Sequence, residues 1–285
     1  MEQAIGFSSD GFALKGVLHV PEGAARPRPA IILCHGFGGS CRGAGHPELA
    51  QALARAGYVV LRFDFRGCGQ SEGARGSVIC LEEVSDLFHA IDFLETQVEV
   101  DRDRIGVIGA SLGGSVAIYA AAKDRRLKFC AANGAIGKGE RRFRFQYRDE
   151  TAWQAFLKRL DEAKRVKAET SRSAMLGRFD IVFIPESNRA GLPPGAVMEF
   201  TAETAMSMLD FNPEDVIAEI APRPLLLIHP RVDAVVPCSE TEAMAKAADE
   251  TCEAHIIESR NHFGSGDPTL IAITLDWLKR KVPVG

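Results

Sequence analysis

Ser111 stands in the string Gly109-Ala-Ser-Leu-Gly113, with Gly114 directly after it. A serine hydroxyl becomes a nucleophile only when a base takes its proton, and the base works best when an acid orients it. Downstream the chain supplies Asp233 in Pro230-Arg-Val-Asp-Ala-Val-Val-Pro237 and His262 in Arg260-Asn-His-Phe-Gly264. The glycines around Ser111 suit a sharp strand-to-helix turn with a strained backbone, where larger side chains would strike the neighbouring strand and helix. Such a turn lifts the hydroxyl off a sheet and sets it at the positive end of a helix. The chemistry these three side chains permit is acyl transfer through a covalent serine intermediate.

Elements able to hold them can be read around each residue. Ile5–Ser8 and Phe12–Val20 flank Ser9-Asp10-Gly11, a hairpin signal. After a Pro/Gly/Ala-rich connector, residues 21–29, the apolar run Ala30–His35 reads as a strand buried on both faces. Pro47–Ala56 closed by Gly57 reads as a helix, Tyr58–Phe63 as a strand and Val78–Val98 as an amphipathic helix. Arg104–Gly109 is a strand, Ser111–Ala122 a small-residue helix and Leu127–Ala132 a further strand. Later come the strand Pro224–His229, the helix Ser239–Ala248, the strand Ala254–Glu258 and the helix Pro268–Lys281. Strand alternating with helix predicts an α/β architecture with a mostly parallel, doubly wound sheet. Ser111, Asp233 and His262 then all fall at carboxyl ends of strands, the edge where open α/β sheets assemble their sites.

The alternation breaks between about Ile136 and Pro213. We expect a mainly helical insert over 137–212, a cap or lid, with the core formed by 1–136 and 213–285. From Lys138 to Arg178 there are 12 Lys/Arg against 6 Asp/Glu, a local balance of +6. Such a stretch is either a solvated helix face or a lure for an anionic substrate. Its aromatics, Phe143, Phe145, Tyr147, Trp153, Phe156, Phe179 and Phe183, are expected mostly to pack the cap onto the core, with one or two facing a flat or aryl acyl group.

Composition narrows the class. With 285 residues, 46% hydrophobic and 25% charged, the chain has the make-up of an ordinary globular protein. A net charge of -4 gives no footprint for nucleic acid, and no apolar run reaches the ~18 residues of a membrane span. Residues 1–11 lack the basic and apolar regions of a secretory signal, and seven scattered Cys suit reduced thiols, so a cytoplasmic location is expected. Cys34, His35, Cys41 and His46 fit no zinc spacing, and Gly67-Cys-Gly69 with Gly73 is a poor dinucleotide loop; no cofactor is expected. Cys68, Cys80, Cys130, Cys238 and Cys252 read as packing residues.

Five blocks now stand in one order: His35-Gly-Phe-Gly-Gly39, Arg66-Gly-Cys-Gly-Gln-Ser71, Gly109-Ala-Ser-Leu-Gly-Gly114, Ala221–His229 with Asp233, and Asn261-His262-Phe263. Over 20–135 and 213–282 the chain resembles the serine α/β-hydrolases, especially the cinnamoyl/feruloyl esterase-like and peptidase-like esterase branch. That resemblance implies the α/β-hydrolase fold and a carboxylesterase-type enzyme acting on a small ester. It makes Ser111 the nucleophile, His262 the general base and then acid, and Asp233 the orienting carboxylate. It places the oxyanion hole at the backbone N–H groups of Phe37 and Leu112, and Arg66–Ser71 in a bordering loop that packs rather than reacts. Carbon–carbon bond hydrolysis, amide hydrolysis and acyl transfer use the same three residues and stay open. A non-catalytic binding protein of this fold would usually lack one of them. The sequence leaves room for a homodimer.

Overall fold

The computed structural model of the chain describes residues 1–23, 27–43, 45–186, 189, 192, 196–259, 262 and 266–284. Asp10 and Gly11 both have positive φ, 46° and 87°, the twist that a two-residue hairpin turn needs. They join β1 (Glu2–Ser9) to β2 (Phe12–His19) in an antiparallel pair. The chain then runs through β3 (Arg28–Cys34), α1 (His46–Arg55), β4 (Val59–Phe63), α2 (Cys80–Glu95), β5 (Val100–Ala110), α3 (Leu112–Lys123) and β6 (Leu127–Asn133). In the stretch expected as an insert lie α4 (Gly139–Gln146), α5 (Glu150–Thr170), β7 (Met175–Gly177), α6 (Arg178–Ile181), β8 (Glu199–Thr201) and α7 (Ala202–Asp210). Two short 3-10 turns lead to β9 (Leu225–Pro230), α8 (Ser239–Ala247), β10 (Cys252–Ile257) and α9 (Pro268–Lys281).

Eight strands form one sheet in the order β1-β2-β4-β3-β5-β6-β9-β10. Only β1/β2 and β2/β4 are antiparallel; the remaining pairs are parallel. Period-two alternation sorts each strand between two cores. Ile31 and Leu33 of β3 face α1 and α9, with Leu53, Trp277 and Leu278, while Ala30, Ile32 and Cys34 face α2 and α3. Helices on both faces make this the doubly wound, mostly parallel sheet that the alternation predicts. The chain leaves β3 for β4 on one side and returns to β5 on the other. The loops after β3 and β5 therefore diverge around a crevice at the carboxyl edge, the usual seat of a site in such sheets.

Two features depart from the sequence reading. β5 begins at Val100, not Arg104, because its first residues pair with the start of β3 across a register shift and carry no apolar signal. The β7–β8 ribbon carries no sequence signal: each strand has three residues, too short for a period to show, and about 20 residues separate them. Among the described residues no helix is long and apolar enough to cross a membrane.

Candidate active site

The turn from β5 into α3 carries Ser111 at φ 54° and ψ −125°. This is a strained conformation for a residue with a side chain, at a cost of about 1–3 kcal/mol. Its neighbours show why the flanking residues are glycines. A Cβ on Gly109 would lie 2.1 Å from the Gly113 carbonyl oxygen, and one on Gly113 would lie 2.2 Å from that of His35. The Ser111 N–H donates to the Asn133 carbonyl at 2.8 Å, which ties the turn to the end of β6.

Asp233 and His262 meet this serine. His262 Nε2 lies 2.9 Å from Ser111 Oγ, and its Nδ1 lies 2.5 Å from Asp233 Oδ2. Asp233 and His262 are each 7% exposed. The other Asp233 oxygen accepts the N–H groups of Val235, at 2.8 Å, and Val236, at 3.0 Å. A second imidazole, His229, sits with Nε2 3.4 Å from Asp233 Oδ2, while its Nδ1 is 2.8 Å from Thr241 Oγ1. Burial raises the Asp233 pKa, but the hydrogen bonds of His229 and His262 outweigh it and hold the carboxyl well below its ordinary value. Asp233 is therefore a buried carboxylate, fixed by four groups and turned toward His262. The residues flanking His262, Asn261 and Phe263, lie outside the described residues.

The loop after β3 covers the serine from the other side. A Cβ on Gly36 would come within 3.2 Å of Ser111 Cβ, a contact that a larger residue makes only if the turn shifts by a few tenths of an ångström. His35 pins the loop: its Nε2 accepts the Phe65 N–H at 3.1 Å and its Nδ1 donates to the Gly36 carbonyl at 2.9 Å. Phe37 follows on this loop, and Leu112 opens α3. Neither the Phe37 N–H nor the Leu112 N–H has an acceptor among the described residues. Two unsatisfied donors beside a serine can stabilise a negative oxygen.

A cavity of about 140 Å³ opens over Ser111 and His262, walled by Phe37, Arg178, Val182, Ile184, Leu192 and Val235. A larger one, about 220 Å³, shares Gly38–Ser40 with it and contains no part of the Ser111–His262–Asp233 chain. The bordering loop is braced internally: Asp64 accepts the N–H groups of Cys41 and Gln70, and Arg66 pairs with Asp86 and Asp10. These residues pack, as expected.

Residues 137–212 narrow the sequence reading in two ways. None of the seven aromatics of that reading lines the Ser111 cavity. Phe156 stacks on Phe143 and Tyr147 and touches Trp153, and these rings join the cluster that packs on the sheet, α2 and α3, while the cavity walls are chiefly aliphatic. The positive balance is largely neutralised: Arg141 pairs with Glu214 and Glu240, Arg144 with Glu150, Arg159 with Asp180 and Lys167 with Glu203. Cys68, Cys80 and Cys130 are buried with raised pKa values, as packing residues should be, whereas Cys238 and Cys252 are only half-buried. His229 and Arg178 were not singled out as site residues. His229 ends the apolar strand four residues before Asp233, a spacing that could have marked it; Arg178 gave no signal beyond its charge.

Comparison with known proteins agrees with this architecture. Residues 25–175 match the family described as serine aminopeptidase, S33. An Escherichia coli relative, an uncharacterized 31.7 kDa protein of the traX-finO intergenic region, is 30% identical over 95% of this chain and 96% of its own. The thiohydrolase aneE of Aspergillus aculeatus is 27% identical over 90% of this chain and 84% of its own. Among solved structures, the α/β-hydrolase GrgF from Penicillium sp. sh18 superposes with a TM-score of 0.80 at 22% identity, covering 99% of both chains. Est1E from Butyrivibrio proteoclasticus, solved with ferulic acid bound, superposes with a TM-score of 0.72 at 18% identity, over 98% of this chain and 99% of its own. The two superpositions, at such identities, speak for the fold alone: it is the α/β-hydrolase fold.

Proposed function

The chain belongs to the serine aminopeptidase (S33) family of hydrolases, and from that premise we propose that it cleaves a carboxylic ester through an acyl-enzyme on Ser111. Ser111 Oγ attacks the carbonyl carbon while His262 Nε2 takes its proton. Asp233 holds the Nδ1 proton of the imidazole and stabilises the positive charge that forms. The N–H groups of Phe37 and Leu112 receive the oxyanion; one such donor is typically worth about 3 kcal/mol in the transition state. The tetrahedral adduct collapses as His262 returns the proton to the leaving alcohol. Water, deprotonated by the same imidazole, then releases the acid. We treat 137–212 as a lid, since Arg178, Val182, Ile184 and Leu192 wall the cavity.

The observation that carries this reading is the unbroken hydrogen-bonded chain from Asp233 through His262 to a strained Ser111. Turnover of 4-nitrophenyl butyrate by the wild type, and its loss in a folded Ser111→Ala protein, is the expected result. More than a trace of turnover in that variant sinks the assignment.

A second reading, thioester hydrolysis or acyl transfer, is favoured by the relative named as a thiohydrolase. Both use the same acyl-enzyme and differ in leaving group or acceptor. A butyryl ester compared with the matching butyryl thioester, with and without added alcohol as acceptor, separates the three.

A further inference from the structure

Arg178 opens α6 and lines the Ser111 cavity, yet is only 6% exposed. Its guanidinium lies against the rings of Phe37 and Phe200, 5.3 and 5.6 Å from their centroids. Nη2 donates to the Phe37 carbonyl and Nη1 to the Val197 carbonyl, each at 3.0 Å. Those bonds use two of the five N–H donors of a guanidinium, and the buried Nε has no partner among the described residues.

Other arginines of the same region are answered by acids. Arg141 has Glu214 and Glu240, and Arg66 has Asp86 and Asp10. Arg142 is buried too, with no acid paired to it among the described residues and its Nε and Nη2 without a partner there, but it does not line the cavity. Around Arg178 burial lowers the pKa, and only the Cys68 thiol acts against that shift. A guanidinium withdrawn from water without a counter-charge is strongly unfavourable until an anion reaches it. The rest of the cavity supplies none: Val182, Ile184, Leu192 and Val235 are apolar, and burial keeps His35 and His46 in their neutral forms.

We propose that Arg178 is the anchor for a carboxylate carried by the substrate, so that the cavity selects half-esters of short dicarboxylic acids over neutral esters. Nη1 and Nη2 each keep one N–H that those carbonyls leave unused, and these are the donors a carboxylate meets. The aliphatic walls of Val182, Ile184, Leu192 and Val235 suit a hydrocarbon chain between that carboxylate and the scissile carbonyl. This names the substrate class of the Ser111 reaction and rests on that reading for the bond cleaved, but not for the anion site itself.

Two probes with one leaving group test it: 4-nitrophenyl hydrogen glutarate and 4-nitrophenyl valerate. The wild type is expected to favour the glutarate by about tenfold or more in kcat/KM. Arg178→Met is expected to bring that ratio close to one, and Arg178→Lys, which keeps the charge but not the planar pair of donors, to leave an intermediate ratio. A wild-type ratio near one overturns the proposal, even if Arg178→Met does not fold. Equal losses on both esters with the ratio preserved also overturn it, and make Arg178 a support of the Phe37 loop. Calorimetric binding of monomethyl glutarate to Ser111→Ala, with methyl valerate as the neutral control, reads the anion site without turnover. Binding of the anion alone, lost in Ser111→Ala/Arg178→Met, upholds the site even if neither ester is hydrolysed, in which case the reaction reading fails. Absence of that binding overturns the site.

Discussion

At the scale of single residues, the account turns on which groups are charged and where they are held. Asp233 orients His262 by a hydrogen bond that an amide would replace with the wrong donor–acceptor pattern. Asp233→Asn is expected to fold and to lose about four orders of magnitude in kcat, as removal of an orienting carboxylate does elsewhere. A loss under about tenfold would show that His262 needs no such partner. Buried imidazoles set the acid limb of stability. Burial, reinforced by Arg62, lowers the His19 pKa from 6.5 to about 4, and Arg62 Nε donates to its unprotonated Nε2. Between those values the unfolded chain binds a proton that the folded chain refuses, so stability falls as pH drops through the window. His46, lowered by burial from 6.5 to about 3, acts with the same sign over a wider span. Asp233, held below its ordinary 3.8, adds a loss only under that value. Glu83, whose carboxyl burial raises well above its ordinary value, works in the opposite direction, so the test is the difference between proteins: from pH 6.5 to 4 the urea midpoint should fall further in the wild type than in His19→Gln, and parallel profiles contradict neutral burial of His19.

At the scale of elements, the β5–α3 turn and the loop after β3 are held in contact by glycines. Gly113→Ala drives a Cβ into the His35 carbonyl and should destabilise the fold by about 2 kcal/mol or more. Gly177→Ala is the control: its φ of −64° is ordinary, and its nearest neighbour, 3.3 Å away, is the Asp180 carboxylate. Equal unfolding curves for the two variants would refute the close approach. These elements were legible because each buried strand is a short apolar run with a turn signal after it. Ser111, Asp233 and His262 could be found for the same reason: each lies just past such a run. Phe37 was legible only through the His35-Gly36 block, since a backbone N–H leaves no mark in sequence. Arg178 was not legible at all. Its isolation depends on Phe37 and Phe200, which lie 141 positions before it and 22 after it. The aromatics of 137–212 pack as expected, but the one or two rings expected to face the cavity are not among its walls, because composition shows that rings are present and not where each one points.

At the scale of the whole molecule, the segment after β6 is fastened to the core by one buried carboxylate. Glu240 of α8 is fully buried and accepts the N–H groups of Gly137 and Lys138, at 2.8 and 3.1 Å, and Arg141 Nε at 2.6 Å. Glu240→Ala leaves two amides without their acceptor and Arg141 with Glu214 alone, and should cost about 2 kcal/mol; a loss below about 1 kcal/mol in urea unfolding would show that the junction rests on other contacts. Everything proposed for the molecule depends on the activation of Ser111. The most direct test is labelling with a fluorophosphonate, which reacts only with a serine made nucleophilic by its surroundings, followed by intact and peptide mass measurement. The account predicts one adduct per chain, on Ser111, absent from Ser111→Ala and strongly slowed in His262→Ala. A folded wild type that takes no adduct, or one that carries it on another serine, would contradict it.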